Sequence, residues 1–408
     1  MKAPKILLVV ALSGFFAVNS AFAQTWTQAS GTTNYWSCVA SSADGTKLVA
    51  AVSDGYHSIG NIYTSTNSGI TWTLTGAPTN HGYGPVASSA DGNKLVAAAS
   101  DSIYTSTNSG LIWRSSPISN CVSLASSAEG TKLVAVTTDE ANPFNGKIYT
   151  STNSGMAWTR QTNIPNQTWC SIVASADGTK LVVQASSNAV YRSTDSGFTW
   201  TQMTPPPVNW PGFSSKQVVS SSADGTELVA ALYGDQSYNP CPIYISTNSG
   251  STWTSTTMPN QNWSSVACSA DGTKIVAAAA PYGGTGPLYT STNSGASWTS
   301  NSVPNQQWTF VASSADGNKL VAVSGIFISG AIYTLQTTLT PQMNIAPTNG
   351  NFNLSWIVPS TNFVLQQSPD LSSWSDLTNQ PILNLTNLQN EVTLPFSGGV
   401  GFYRLKTP

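Results

Sequence analysis

The sequence predicts an all-β protein: a seven-bladed β-propeller closed by an N-terminal strand, followed by a small C-terminal β-sandwich. Three observations carry this expectation. A repeat of roughly 45 residues, the span of one propeller blade, fills most of the 408-residue chain. Each copy holds two turn signatures between short apolar runs. The final copy stops before its last strand, while a strand-like orphan stands near the N-terminus.

The first signature is Ser-Ala-Asp-Gly, with its acid at Asp44, Asp91, Asp177, Asp224, Asp271 and Asp316, and Glu129 in its place once. Asp-Gly between β-rich runs is a hairpin signal, because Gly accepts a positive φ and Asp bonds its own backbone. Val39–Ser42 and Leu48–Val52 therefore read as two strands, A and B. The second signature is Ser-Thr-Asn-Ser-Gly-x-x-Trp, ending at Trp72, Trp113, Trp158, Trp253 and Trp298. A variant copy ends at Trp200 and carries Asp195 in place of Asn. It joins Ile62–Thr66 to Ile70–Leu74, strands C and D. One four-stranded sheet cannot cover both of its own apolar faces, so neighbouring copies must stack.

Ser65-Thr66-Asn67-Ser68-Gly69-Ile70-Thr71-Trp72 resembles the Asp-box, or BNR repeat, with Asn at the acidic position. That box occurs in sialidases, sortilin-like receptors and photosystem II assembly-factor-like propellers. The resemblance spans roughly Thr25 to Gln336. It implies a turn between the third and fourth strands of a blade with the Trp packed beneath it, and little about activity, since the fold hosts unrelated functions. Six copies are complete. The seventh begins at Trp308 and ends at Ile332-Tyr333-Thr334-Leu335 without a box, and Thr25-Trp26-Thr27 is expected to supply its missing strand.

The expected organisation is an export signal at 1–23, the propeller at 24–336, a linker at 337–347 and the β-sandwich at 348–408. Lys2 and Lys5 precede an apolar run from Ile6 to Val18 that is too short to span a bilayer. Ala21-Phe22-Ala23 is a small-x-small cleavage site, which leaves Gln24 as the mature N-terminus of a secreted, periplasmic or cell-surface protein. Asn353–Val358, Phe363–Gln367, Glu391–Leu394 and Gly401–Leu405 read as strands of the last module. Its Leu-x-Trp, Ser368–Trp374 stretch and terminal Phe-Tyr-Arg-Leu resemble a C-terminal module of exported bacterial proteins.

Only 8% of residues are charged and the net charge is −2. Such a surface has no basic patch for phosphates, so a nucleic-acid partner is disfavoured. The five cysteines form neither a dense framework nor a C-x-x-C spacing. No metal site, no cofactor and no membrane insertion are expected, and the protein is read as a monomer.

At one fixed distance before each turn acid stand Trp36, Tyr83, Cys121, Trp169, Lys216, Trp263 and Trp308. Trp36, Tyr83, Trp169, Trp263 and Trp308 are the candidate ligand-binding residues, as a ring of stacking platforms near the channel mouth. The competing reading is that they wedge between blades, since a residue repeated in most copies usually serves packing. No catalytic residue is assigned. The sialidase resemblance would require three arginines on inner strands. Arg114 and Arg160 follow the box Trp on outer strand D, and Arg192 lies on strand C. Asp54, Asp101, Asp139, Glu140 and Asp235 fall near B-to-C loops, as solvated acids or as a carboxylate pair for glycoside hydrolysis. His57 and His81 lie on the same face. The expected function is that of a non-catalytic binding or scaffold module for a glycan or an extracellular or surface protein. The alternative is a glycoside hydrolase or lyase acting on extracellular polysaccharide.

Overall fold

A computed structural model describes residues 10–11, 25–30, 33–53, 60–79, 81–139, 141–187, 189–206, 217–232, 240–280, 284–325, 328–337, 343–348, 351–357, 363–395 and 401–406. Within them the chain forms seven four-stranded antiparallel sheets in sequence order, then two more sheets. In blade 1 the strands are Trp36–Ser41 (A), Leu48–Val52 (B), Ile62–Ser65 (C) and Thr73–Leu74 (D). Blades 2 to 6 start at Tyr83, Cys121, Trp169, Gln217 and Trp263.

Burial follows the radial position of each strand. Every described strand-B residue of blades 1 to 4 and 6 is buried, in runs such as Leu-Val-Ala-Ala-Val. Strand B has a paired strand on each edge and a neighbouring blade on each face, so alternation gives way to a continuous apolar run. Strand D is mostly exposed. It is also shorter than expected. Ile70–Trp72 belongs to the turn, because Asn67 Oδ1 accepts from Thr71 N at 2.9 Å and holds the chain curled.

Blade 7 consists of Trp308–Ser313, Lys319–Ser324 and Ile332–Gln336, completed by Thr27–Gln28. Thr27 pairs with Thr334 and Gln28 with Tyr333 in antiparallel register. Trp26 is buried beside this strand, and its Nε1 donates to Asn301 Oδ1 at 3.2 Å. Blades 7 and 1 then share a core around Trp36, Val39, Val321 and Val323.

The second region holds two sheets over one core of Phe352, Leu354, Trp356, Leu365, Val392, Leu394 and Tyr403. Its first strand, Asn344–Thr348, begins inside the segment expected as linker and pairs with Asn351–Ile357. Val10–Ala11 pair in parallel with Phe402–Tyr403. The cleavage site at 21–23 and the remainder of the expected export signal lie outside the described residues. Among the described residues no helix is long and apolar enough to cross a membrane.

Candidate functional site

The seven inner strands surround a channel whose main cavity measures about 640 Å³, within the size range of small-molecule and cofactor pockets. Its wall is built mostly from Ser, Ala, Val and Cys, with Leu124, Ile172 and Phe310, and among the described residues contains no Asp, Glu, Lys, Arg or His. Six A strands start with an irregularity of register, at Trp36/Cys38 in blade 1 and at its equivalents in blades 2 to 4, 6 and 7. Such bulges re-aim side chains at a sheet edge. At two of them a hydroxyl crosses to the next blade: Ser37 Oγ donates to Tyr83 O at 2.6 Å, and Thr309 Oγ1 to Trp36 O at 2.9 Å. Deeper in, Ser123, Ser220 and Ser265 accept from the backbone N–H of Ile172, Cys268 and Val311, each at 3.1 Å. Lumen serines thus tie blades together while keeping the wall neutral.

At the turn face the channel narrows to a closed cycle of hydrogen bonds. Ala43 N donates to Ala90 O, and the pattern passes through Ala128, Ala176, Ala223, Ala270 and Ala315 until Ala315 N donates to Ala43 O, with lengths of 2.6–2.8 Å. Outside this ring lysines bridge five of the blades to the next. Lys47 Nζ donates to Asp91 O at 2.9 Å, and Lys94, Lys132, Lys180 and Lys274 repeat the bond at 2.7–2.9 Å. Blade 5 carries Glu227 at this position. Burial and the nearby Asp224 and Asp271 carboxylates raise its pKa.

The six turn aspartates are held in place by the same local chemistry, while Glu129 accepts from Thr131 Oγ1 at 3.3 Å. Burial alone would raise the Asp177 carboxyl. Hydrogen bonds from Ser175 and Thr179, helped by Lys132, outweigh it and hold the group below the ordinary carboxylate range. In the second turn Gly69 N donates to Ser65 Oγ at 2.9 Å, and Trp72 Nε1 to Gly69 O at 3.1 Å. These acids are turn-builders with their oxygens already occupied.

Trp36, Tyr83, Trp169, Trp263 and Trp308 lie at the starts of their A strands as expected, but none is exposed by more than 2%. Each packs edge-on against the strand-C tyrosine of its own blade: Tyr63, Tyr104, Tyr191, Tyr289 and Tyr333, with centroids 5.3–5.9 Å apart. Trp263 Nε1 donates to Cys241 O and Trp308 Nε1 to Gly286 O. These rings have no face to offer a ligand, so the stacking platform is replaced by a packing role. The bulge behind each ring turns it into the blade and leaves the small residue beside it at the lumen.

Solved structures share this architecture. A YCF48 structure bound to D1 peptide superposes with a TM-score of 0.54 at 15% identity, over 77% of this chain and 97% of that one. YCF48 from Cyanidioschyzon merolae gives 0.54 at 13% identity, over 76% and 98%. At that identity the likeness is one of fold. No family profile matches this chain, and no curated protein matches it.

The rim of the loop face carries the one ion pair among the described residues. His81 Nδ1 lies 3.1 Å from Asp101 Oδ1, and its Nε2 lies 3.5 Å from Tyr104 OH. Burial, then Tyr104 and Asp101, push the Tyr83 hydroxyl's pKa well up, and its proton is donated to Pro78 O at 2.7 Å. Asp139 organises its own loop: it accepts from Asn145 Nδ2 at 2.8 Å and from the backbone N–H of Ala141 and Asn142. Arg114 and Arg160 stand on D strands and Arg192 on a C strand, away from the lumen wall. Asp54, His57, Glu140, Lys216 and Asp235 lie outside the described residues. No three His, Cys, Asp or Glu side chains gather into a metal-sized cluster among the described residues.

Proposed function

We propose that this chain is an exported Asp-box propeller that acts as a binding or scaffold module, holding an uncharged segment of a partner at the loop-face mouth of its channel. The supporting observation is the lumen of about 640 Å³, walled among the described residues by uncharged hydroxyl and apolar side chains. Moving a charge into such a wall forfeits hydration with no counter-ion to replace it. An uncharged peptide loop or sugar loses far less. The partner is an extracellular or surface protein, or a glycan. Burial of the five strand-A aromatics removes the main argument for sugar stacking, and a propeller of the same fold has been solved with a peptide bound, so protein is the preferred class. The mature protein begins at Gln24 and works as a monomer.

The rival reading is a glycoside hydrolase or lyase, favoured by the His81–Asp101 pair beside Tyr104 on the rim. One experiment separates the two. Purified mature protein is screened on peptide and glycan arrays, with a reducing-end and unsaturated-product assay run on each glycan that binds. Binding without turnover supports the module. Turnover abolished by His81→Gln or Asp101→Asn supports the enzyme, and binding to neither array overturns the proposed function.

A further inference from the structure

The ring of alanines is covered. Three of its members, Ala128, Ala176 and Ala223, form a small apolar cluster, and the side chains packed against it are Ala90 and Ala270 of the same ring and Leu385 and Leu388 of the C-terminal region. A cavity of about 180 Å³ on this side is lined by all seven alanines and by Leu388. The two leucines sit on the tip of a hairpin whose strands are Ile382–Asn384 and Gln389–Pro395.

That tip is built to hold one shape. Leu388 has φ of +54°, a region uncommon for a side chain of its size. Neighbouring polar groups fix it there. Asn384 Oδ1 accepts from Thr386 N at 2.9 Å, and Asn387 Oδ1 from Gln389 N at 3.0 Å. Glu391 Oε1 in turn accepts from Asn384 Nδ2 at 2.9 Å and from Asn387 Nδ2 at 3.2 Å. An unfavourable backbone conformation held by four hydrogen bonds from three side chains, at the point where an apolar group meets an apolar socket, is a positioned contact.

We propose that the C-terminal module is a stopper: its hairpin tip seats Leu385 and Leu388 on the alanine ring and seals the channel at the turn face. The ring's N–H and C=O groups are consumed by one another, so the socket recognises shape and apolarity alone, which suits a branched aliphatic finger. The channel then becomes a blind cup. In this respect the inference deepens the proposed function, because a ligand enters and leaves only at the loop face. The seating itself does not depend on what the cup holds.

Two measurements on the whole mature chain test it. Hydroxyl-radical footprinting compares Leu385 and Leu388 with Leu371, an exposed leucine of the same module. Seating predicts oxidation of Leu388 several-fold slower than of Leu371, and equal rates overturn the proposal. In the second, a protease site is inserted after Leu339 and cut. The C-terminal fragment should co-elute with the propeller, and separate elution of the wild-type fragment overturns the proposal. Leu388→Asp should release the fragment. Ala223→Leu, which fills the socket and leaves the module's own sequence unchanged, should do the same. Retention of the fragment by both variants would show that the contact is held elsewhere and that the ring is not the socket. Failure of the arrays with the fragment still seated would count against the binding function alone.

Discussion

The two faces of the propeller are made from the same sheets and follow opposite rules. On the turn face the A-to-B connections Ser41–Leu48, Ser88–Leu95 and Ser126–Leu133 share one length and one hydrogen-bond pattern, and the box turns repeat just as closely. On the loop face the B-to-C connection runs from Val52 to Ile62 in blade 1 but only from Ala99 to Ile103 in blade 2. The D-to-A connection runs from Ser116 to Cys121 in one place and from Met203 to Gln217 in another. Turn-face atoms bond to the neighbouring blade, so a change in one copy is felt in the next. Loop-face connections touch the neighbouring blade at fewer fixed points, such as Cys241 and Gly286, and differ in length, as binding loops on rigid scaffolds do. Stability should therefore be sensitive on the turn face and tolerant on the loop face.

The largest expected effect tests whether closure underlies both faces. Deleting residues 24–29 removes the last strand of blade 7 and the buried Trp26. Trp26→Ala alone should cost about 3–5 kcal/mol, and the deletion more. Thermal unfolding followed by near-UV circular dichroism checks it, and an unchanged melting temperature would break the closure argument.

Glycines give the next contrast. Gly155 in a box turn has φ of +81°, and an added Cβ would lie 2.5 Å from Thr105 Cγ2. Gly155→Ala should destabilise by more than about 1 kcal/mol. Gly84, at the lumen, has nothing nearer than 3.9 Å to an added Cβ, so Gly84→Ala should be neutral or slightly stabilising in a urea titration.

A smaller effect, of opposite sign, belongs to Glu227, the one break in the lysine girdle. Its folded pKa is raised above the ordinary 4.5. What it contributes to stability is therefore present below that value and lost as pH rises through the folded value, so at neutral pH it opposes folding. Asp177 has the reverse sign. Its contribution is complete above the ordinary 3.8 and is lost as pH falls through its lowered folded value. Glu227→Lys, restoring a donor toward the carbonyl of Asp271, should gain about 0.5–1 kcal/mol at pH 7. Glu227→Gln should flatten the stability change just above pH 4.5 and leave the acid limb governed by the turn aspartates. Denaturation midpoints at several pH values measure both.

Least affected should be a loop-face surface position. Phe144 is 55% exposed in the B-to-C connection of blade 3, and Phe144→Ser should change stability by less than about 0.5 kcal/mol. Partner binding on the arrays is where its loss should register.

Local chemistry explains what the sequence made legible. Asp-Gly and the box are recognisable because each turn's hydrogen bonds close within a few residues, as Ser175, Asp177 and Thr179 show. The incomplete seventh copy and the orphan around Trp26 pointed to closure by counting alone. The strand-A aromatics were located by their spacing, which left a stacking platform and a packing role both open, because spacing reveals a recurring position but not which side of a bulged strand it occupies. The missing clue was a second repeat: the tyrosine of strand C recurs in step with each ring, and a recurring pair implies mutual packing. The alanine before each turn acid was equally visible at Ala43, Ala90 and their equivalents. Its role emerges only when seven copies are placed in a circle. Nothing local marks Leu388, whose socket lies in another part of the chain.

Closure also governs the order of events in time. Thr27 cannot find Thr334 until nearly the whole propeller has been made, and that pairing joins two of the most distant positions in the chain. Contacts of such long range form late, because the entropy of closing the loop must be overcome before any bond rewards it. Blades 1 to 6 can each form from contiguous sequence, while the seventh must wait with one edge bare. A circular permutant that begins at Tyr83 and links the old ends would leave only the C-terminal module between Thr334 and Thr27. It should reach the same final stability by a faster route, because new termini at Tyr83 fall between blades 1 and 2 and divide neither.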